Sequence, residues 1–187
     1  MLDVHYGMQN LLSRWLVPLD ESLKHKIQHL PDKQRTRIYR DIITDFVKLY
    51  FFKKYVIMDS DLAGKNFSFV HSMPDYSDVV VAPGYDYEFS FYFPNFQLSQ
   101  SEMGDDFKFL FDFNPRVFSS VQDVFNIDVS PNGENYSQIH KIFESCPDKH
   151  AEEKFNVVIN NLLTMNAMLN AVKNGKDPST SDEWWCE

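Results

Sequence analysis

Aromatic side chains alternate with other residue types in two stretches near the middle of this chain, and that alternation constrains the fold most. In residues 85–93 every second position is Tyr or Phe, and in residues 107–113 every second position is Phe. Successive side chains of a β-strand point to opposite faces, so a period of two predicts antiparallel strands with one covered and one solvated face. Asn66–His71, Asp78–Val81 and Val121–Val129 give weaker strand signals.

Helical periodicity returns on both sides of this central region. The clearest pattern runs from Asp32 to Tyr55, where apolar residues recur every turn. Two shorter helices are predicted before it, at Tyr6–Leu16 and Leu19–Leu30. Two more are predicted after the strands, at Tyr136–Glu144 and from Pro147 to Lys173, with Gly175 just past the end.

These elements predict an α+β fold. An antiparallel, aromatic-rich β-meander would be flanked by the N-terminal helices and covered by the long C-terminal helix. We expect one domain over residues 1–175, divided into helices at 1–58, the sheet at 59–130 and C-terminal helices at 131–175. Residues 176–187 form a polar tail that includes Trp184 and Trp185. At 187 residues and 43% hydrophobic composition, the chain can bury a substantial core.

Charge is divided unevenly along the chain. The net charge is −9, but residues 1–58 carry 10 basic and 6 acidic residues and are therefore positive. Between Lys24 and Arg40, six basic residues face a single acid, Asp32, and the helical spacing predicts that Lys33, Arg37 and Arg40 are exposed. Such a field attracts partners of opposite sign and repels those of the same sign.

Carboxylates gather around the predicted strands and around residues 94–106, a predicted long loop of the kind that often binds ligands. With a tyrosine among them they predict an acidic surface that covers a basic protein. The expected partner-binding residues are Asp75, Asp78, Asp86, Glu88, Tyr92, Glu102, Asp105 and Asp106. The predicted function is an acidic inhibitor that masks a basic site on a partner protein. Immunity proteins, antitoxins and phage-encoded blockers of nucleic-acid-binding enzymes are examples of this class.

A magnesium-dependent nuclease is the enzymatic alternative. Pro74-Asp75 followed by Asp106-Phe107-Lys108 resembles the P-D…D-x-K layout, in which two acids hold Mg²⁺ and the lysine stabilises developing charge. The dipeptide Pro-Asp occurs three times in the chain, however, and the surrounding negative charge would repel a nucleic acid. Direct nucleic-acid binding through residues 24–40 ranks lower, because base-reading residues are not interleaved with the basic ones.

A structural or assembly subunit that uses Trp184 and Trp185 is the remaining alternative. We expect no metal or cofactor, because His25 and His29 lack the glutamate of an H-E-x-x-H site and no phosphate-binding glycine loop is present. Two cysteines, no apolar run of membrane-spanning length and no signal-peptide pattern predict a cytoplasmic protein without a membrane partner.

Overall fold

Helices dominate the structure. The computed structural model describes residues 23–59, 62, 69–71, 79–81, 87, 90–91 and 100–176. After a short helical segment at residues 23–27, the helices are α1 (Asp32–Phe51), α2 (Gln100–Phe113), α3 (Pro115–Phe125), α4 (Glu134–Glu144) and α5 (Ala151–Lys173). The end of α1 continues directly into a π-helical turn, Phe52–Val56.

Two strands of three residues each form the only sheet in the part of the chain that the structure describes. Strand β1 (Phe69–His71) pairs antiparallel with β2 (Val79–Val81), with Phe69 opposite Val81 and His71 opposite Val79. Both strands fall within segments that the sequence predicted to be extended. The β2 strand packs on α1, where Val79 is buried.

The predicted β-meander is wrong, and so is the α+β class built on it. Residues 107–113, predicted as a strand, lie in α2, and residues 100–106 of the predicted loop form its first turns. Met103, Phe107 and Leu110 explain this, because their i, i+4, i+7 spacing makes a buried helical stripe. The alternating phenylalanines therefore spread around a helix, and Phe113 is 60% exposed at its end.

Helix α3 replaces most of the weaker strand predicted at Val121–Val129. Asn114 caps it, since the side-chain oxygen accepts a hydrogen bond from the Val117 N–H at 3.2 Å, and Pro115 occupies its first turn. Val117 and Val121 then lie one turn apart on the buried face. A capping residue followed by proline is a helix start signal that outweighs the β-branched composition.

The predicted strand at residues 85–93 is interrupted by a turn. The Ser90 N–H donates a hydrogen bond to the Tyr87 carbonyl oxygen at 3.0 Å, and Phe91 has a positive φ of 58°. A continuous strand does not adopt that conformation. The other residues of this segment lie outside the described part of the chain.

The flanking helices were predicted well. Helix α1 begins at Asp32 as expected, α4 covers the predicted Tyr136–Glu144, and α5 ends at Lys173 before Gly175, whose φ is +71°. Helix α5 starts at Ala151 instead of Pro147, and Leu163, predicted to face inward, is 48% exposed. The predicted helix Tyr6–Leu16 and the tail residues 177–187 lie outside the described residues.

The apolar core has two parts that meet along α1. The larger part packs the second half of α1 against α2, α3 and α5 through residues such as Phe46, Phe107, Phe118 and Phe155. The smaller part joins Ile27, Ile38 and Val79. Helix α1 therefore has one end on the smaller core and the other inside the larger one. No helix in the described ranges has an apolar stretch long enough to cross a bilayer.

Candidate functional site

The C-terminal end of α1 carries two lysines into the protein interior. Lys53 and Lys54 are 0% and 4% exposed. They follow the buried Tyr50 by three and four residues, so helical spacing places them on the same inward side of the helix. Because a buried ammonium group without a partner is strongly unfavourable, each lysine requires a carboxylate from elsewhere in the chain.

Asp106 of α2 is the centre of the first buried group. Its Oδ2 lies 3.1 Å from Lys54 Nζ and accepts hydrogen bonds from the hydroxyls of Tyr55 at 2.6 Å and Tyr50 at 3.0 Å. Lys54 Nζ also donates to Glu102 Oε1 at 2.6 Å. We refer to Tyr50, Lys54, Tyr55, Glu102 and Asp106 as the Lys54 cluster.

The Lys54 cluster is suited to holding two helices together and is poorly suited to catalysis. Burial, reinforced by the nearby charge of Asp106, raises the pKa of Tyr50 and of Tyr55 far above the ordinary value for tyrosine. Both phenols therefore stay protonated and act as hydrogen-bond donors. Lys54 and Asp106 are nearly inaccessible to solvent, so no substrate reaches their charged atoms.

Lys53 forms a second buried pair that fixes the chain as it leaves the π-helical turn. Its Nζ lies 2.8 Å from Asp59 Oδ2 and 4.5 Å from the centre of the Tyr87 ring. The Asp59 N–H donates to the Lys53 carbonyl oxygen at 2.7 Å, and Met58 between them has a positive φ of 52°. Burial and the charge of Asp59 raise the pKa of Tyr87.

The position of Asp106 corrects one predicted partner contact. A carboxylate enclosed by Lys54 and two tyrosines is not available to a second protein. Lys108 lies two residues further on, is exposed, and pairs with Asp112 at 2.8 Å. Residues two apart share a face in a strand but point to different sides of a helix, so the D-x-K arrangement expected of a nuclease does not form.

Two of the predicted partner-binding residues do lie together on the outside of α2. Glu102 and Asp105 are one turn apart, Glu102 partly exposed and Asp105 exposed. The other five predicted contacts lie outside the residues that the structure describes. These five are Asp75, Asp78, Asp86, Glu88 and Tyr92.

An acidic-aromatic stripe runs along α2 from these two carboxylates. It consists of Glu102, Asp105, Phe109, Asp112 and Phe113, spaced at i, i+3, i+7, i+10 and i+11, so that its members lie on neighbouring sides of the helix. The rings of Phe109 and Phe113 stack in parallel with their centroids 5.6 Å apart. Carboxylates and a large exposed aromatic ring thus share one surface.

A groove of about 650 Å³ lies between α1, β2 and the first turn of α3. Helix α1 contributes Arg37, Arg40 and Lys48 to its lining, and α3 contributes Arg116. Two acids of α1, Asp41 and Asp45, also line it. The expected exposure of Lys33, Arg37 and Arg40 is confirmed.

The described residues contain no group of three His, Cys, Asp or Glu side chains placed to hold a metal ion. Within that part of the chain His25, His29 and Cys146 are all exposed. No protein-family model, curated protein or solved structure matches this chain. Evidence of function therefore comes from the surfaces of the molecule itself.

The burial of Lys53 and Lys54 was not predicted from the sequence. A signal was available, because extending the apolar stripe of α1 by one turn from Tyr50 places Lys53 and Lys54 on the inward face. Lysines in such positions indicate acidic partners elsewhere in the chain. Which acids these are, Asp59 and Asp106, depends on tertiary contacts that spacing does not reveal.

Proposed function

We propose that this protein is an acidic binding protein that covers a basic site on a partner protein and thereby inhibits it. The observation that carries the proposal is the acidic-aromatic stripe, in which the 60% exposed Phe113 lies beside carboxylates of the same helix. Glu102 and Asp105 come from the set predicted in the sequence, and Asp112 and Phe113 extend it. Asp106 is no longer part of the proposed contact surface.

Two physical properties of the stripe support this role. Its three carboxylates outnumber the two lysines that pair with them, Lys54 with Glu102 and Lys108 with Asp112, so the surface keeps a net negative charge that attracts a positively charged partner at long range. The stacked ring of Phe109 supports Phe113, so an aromatic anchor is held in place before binding and loses little conformational freedom on contact.

The fit of the stripe to a basic enzyme follows from its charge. Surfaces that bind nucleic acid are rich in Lys and Arg, and an inhibitor of such an enzyme needs carboxylates that compete with phosphates. A cytoplasmic location belongs to the proposal. The exposed free thiol of Cys146 is compatible with a reducing compartment.

Affinity capture with the whole chain as bait tests the proposal. The bait carries Asp105→Lys and Asp112→Lys in one arm and no substitution in the other, and bound proteins are identified by mass spectrometry. We expect the unsubstituted bait to retain a basic protein whose binding weakens steeply as salt rises, and the double reversal to lose it.

A matched control separates the stripe from net charge. Glu152→Lys and Glu153→Lys make the same charge change on exposed residues of α5. If this control loses the partner to the same extent, or if the captured protein is acidic, the proposed contact surface is wrong. Phe113→Ser should also weaken capture while leaving the unfolding midpoint in urea unchanged, because its ring is mostly solvated already.

A structural or assembly subunit is a second candidate, supported by one observation. Ile142 of α4 is 66% exposed, an unusual position for a large apolar side chain on a surface helix. Light scattering over a range of protein concentrations distinguishes the two functions. An increase in mass that Ile142→Ser abolishes would favour assembly, and a constant monomer mass would favour the inhibitor.

A further inference from the structure

The groove beside α1 is not part of the proposed partner surface, and not all of its charged side chains form ion pairs. Arg40 lies 2.8 Å from Asp41 Oδ1, and Lys48 lies 3.8 Å from Asp45 Oδ1, so these four charges offset one another. Arg35, just outside the groove, pairs with Asp32 and donates to the carbonyl oxygens of Gln28 and Leu30. Its guanidinium group therefore serves the turn that precedes α1.

Arg37 and Arg116 are the two other basic residues in the described lining of the groove. Both are exposed and both line the groove, one from α1 and one from the first turn of α3. Neither side chain forms an ion pair or a hydrogen bond with any residue in the described ranges. With the paired charges offsetting one another, these two guanidinium groups leave the described lining of the groove with a net charge of about +2.

Asn114 adds a third donor to the residues that line the groove. The side-chain oxygen of Asn114 is occupied as the cap of α3, which leaves its amide NH₂ group as a hydrogen-bond donor in the groove. The guanidinium group presents a planar fork of N–H donors that matches the oxygens of phosphate. The groove thus combines two forks and one amide donor with a volume in the range of small-ligand sites.

The surroundings favour a small phosphate ligand over a nucleic-acid strand. Asp41 and Asp45 line the groove, and the whole chain has a net charge of −9, so an extended polyanion would meet repulsion along its length. Among the described residues, no aromatic side chain on which a base would stack lines the groove. A compact dianion does not extend along the acidic surface and needs no stacking partner, so it avoids both penalties.

We propose that this groove binds a phosphate monoester, with Arg37 of α1 and Arg116 of α3 holding its oxygens. The inference is independent of the acidic inhibitor, because the stripe lies on α2 and the groove on α1 and α3. A nucleotide, a sugar phosphate or free phosphate all supply the same tetrahedral group. The organic part of the ligand would then contact Val80 of β2, which is exposed at the groove.

Isothermal titration calorimetry of the full chain tests the site with inorganic phosphate, a sugar phosphate and adenosine monophosphate as separate probes. We expect at least one phosphate ester to bind more tightly than inorganic phosphate. Arg37→Gln and Arg116→Gln should each weaken that binding about tenfold or more, because each removes a charge-assisted contact. The source of the phosphate is identified by which probe binds best.

The control is Lys33→Gln, which removes the same charge from an exposed residue of the same helix outside the groove. Its affinity should stay close to that of the unsubstituted chain. Three results would overturn the proposal: no heat from any probe at millimolar concentration, equal weakening by Lys33→Gln, or arginine-dependent binding of a single-stranded oligonucleotide that exceeds that of every monoester. All three are independent of whether a protein partner is captured through α2.

Discussion

The two ends of α1 carry the same kind of side chain in opposite circumstances. Near its start Lys33 and Arg37 are exposed, and beyond its end Lys53 and Lys54 are buried against carboxylates. Register along the helix decides between the two, since the first pair lies opposite the apolar stripe and the second pair continues it. The buried charges are committed to the fold, whereas the exposed ones are available to ligands.

The largest expected effect comes from the buried end. Asp106→Ala removes a carboxylate from Lys54 and the acceptor of two tyrosine hydroxyls, which should lower the free energy of unfolding by about 3 kcal/mol. Urea denaturation followed by circular dichroism measures it. Asp105→Ala is the matched control on the adjacent, exposed residue and should change stability by less than about 0.5 kcal/mol. Equal losses of unfolding free energy in the two variants would mean that the buried carboxylate is no more important to stability than the exposed one.

Alkaline pH should destabilise the buried end selectively. The pKa values of Tyr50 and Tyr55 are raised in the folded state, so the folded protein keeps two protons that the unfolded chain releases above its ordinary tyrosine pKa of 10.0. Their contribution is complete below that pH and is lost above it, at about 2.7 kcal/mol per pH unit for two groups.

Urea midpoints measured across this pH range should therefore fall steeply. Ionisation of Tyr50 and Tyr55, followed by ultraviolet absorbance, should coincide with unfolding. A variant carrying both Tyr50→Phe and Tyr55→Phe should lose this steep dependence. Ionisation of all tyrosines in a chain that remains folded would contradict the burial of the two phenols.

A smaller effect tests a single hydrogen bond of the Lys54 cluster. Tyr55→Phe keeps the ring and removes the hydroxyl that donates to Asp106 at 2.6 Å, which should cost about 1.5 kcal/mol. Tyr136→Phe provides the comparison, because that tyrosine contacts His140 and Phe155 through its ring and its hydroxyl bonds no residue in the described ranges. Thermal melts of both variants should separate them clearly.

The smallest effect is expected at the exposed end. Lys33 and Arg37 lie one turn apart with like charge, so Lys33→Gln or Arg37→Gln should leave stability unchanged or raise it by a few tenths of a kcal/mol. Urea denaturation at low and high salt measures this. A loss above about 1 kcal/mol in either variant would mean that the exposed charges are also structural.

The sequence predicted the flanking helices well because their apolar periods were long. Helices α1 and α5 each repeat an apolar stripe over five turns or more, which only a helix satisfies. Residues 107–113 fit both the two-residue period of a strand and the 3.6-residue period of a helix. The strand interpretation used the alternating phenylalanines, whereas burial follows Met103, Phe107 and Leu110 at helical spacing.

The candidate sites were predicted less completely, for a tertiary reason. Glu102 and Asp105 were expected on one surface and do lie on neighbouring sides of α2, but Asp106 turns inward because Lys54 is there to meet it. Only helical register distinguishes Asp106 from Asp105, because Asp106 follows the buried Met103 by three residues and precedes the buried Leu110 by four, and the strand interpretation did not use that register. The groove likewise joins Arg37 to Arg116, which are far apart in the chain and were never considered together.

Asn114 is the single residue that separates α2 from α3, with Phe113 ending one helix and Pro115 beginning the next. Its N–H donates to the Leu110 carbonyl oxygen at 2.8 Å, and its own carbonyl oxygen accepts from the Phe118 N–H at 3.0 Å. Backbone hydrogen bonds to both helices therefore fix this connection. Three residues of backbone, at most about 11 Å, connect the aromatic anchor to Arg116. A partner that contacts Phe113 would therefore lie close to a ligand bound in the groove through Arg116.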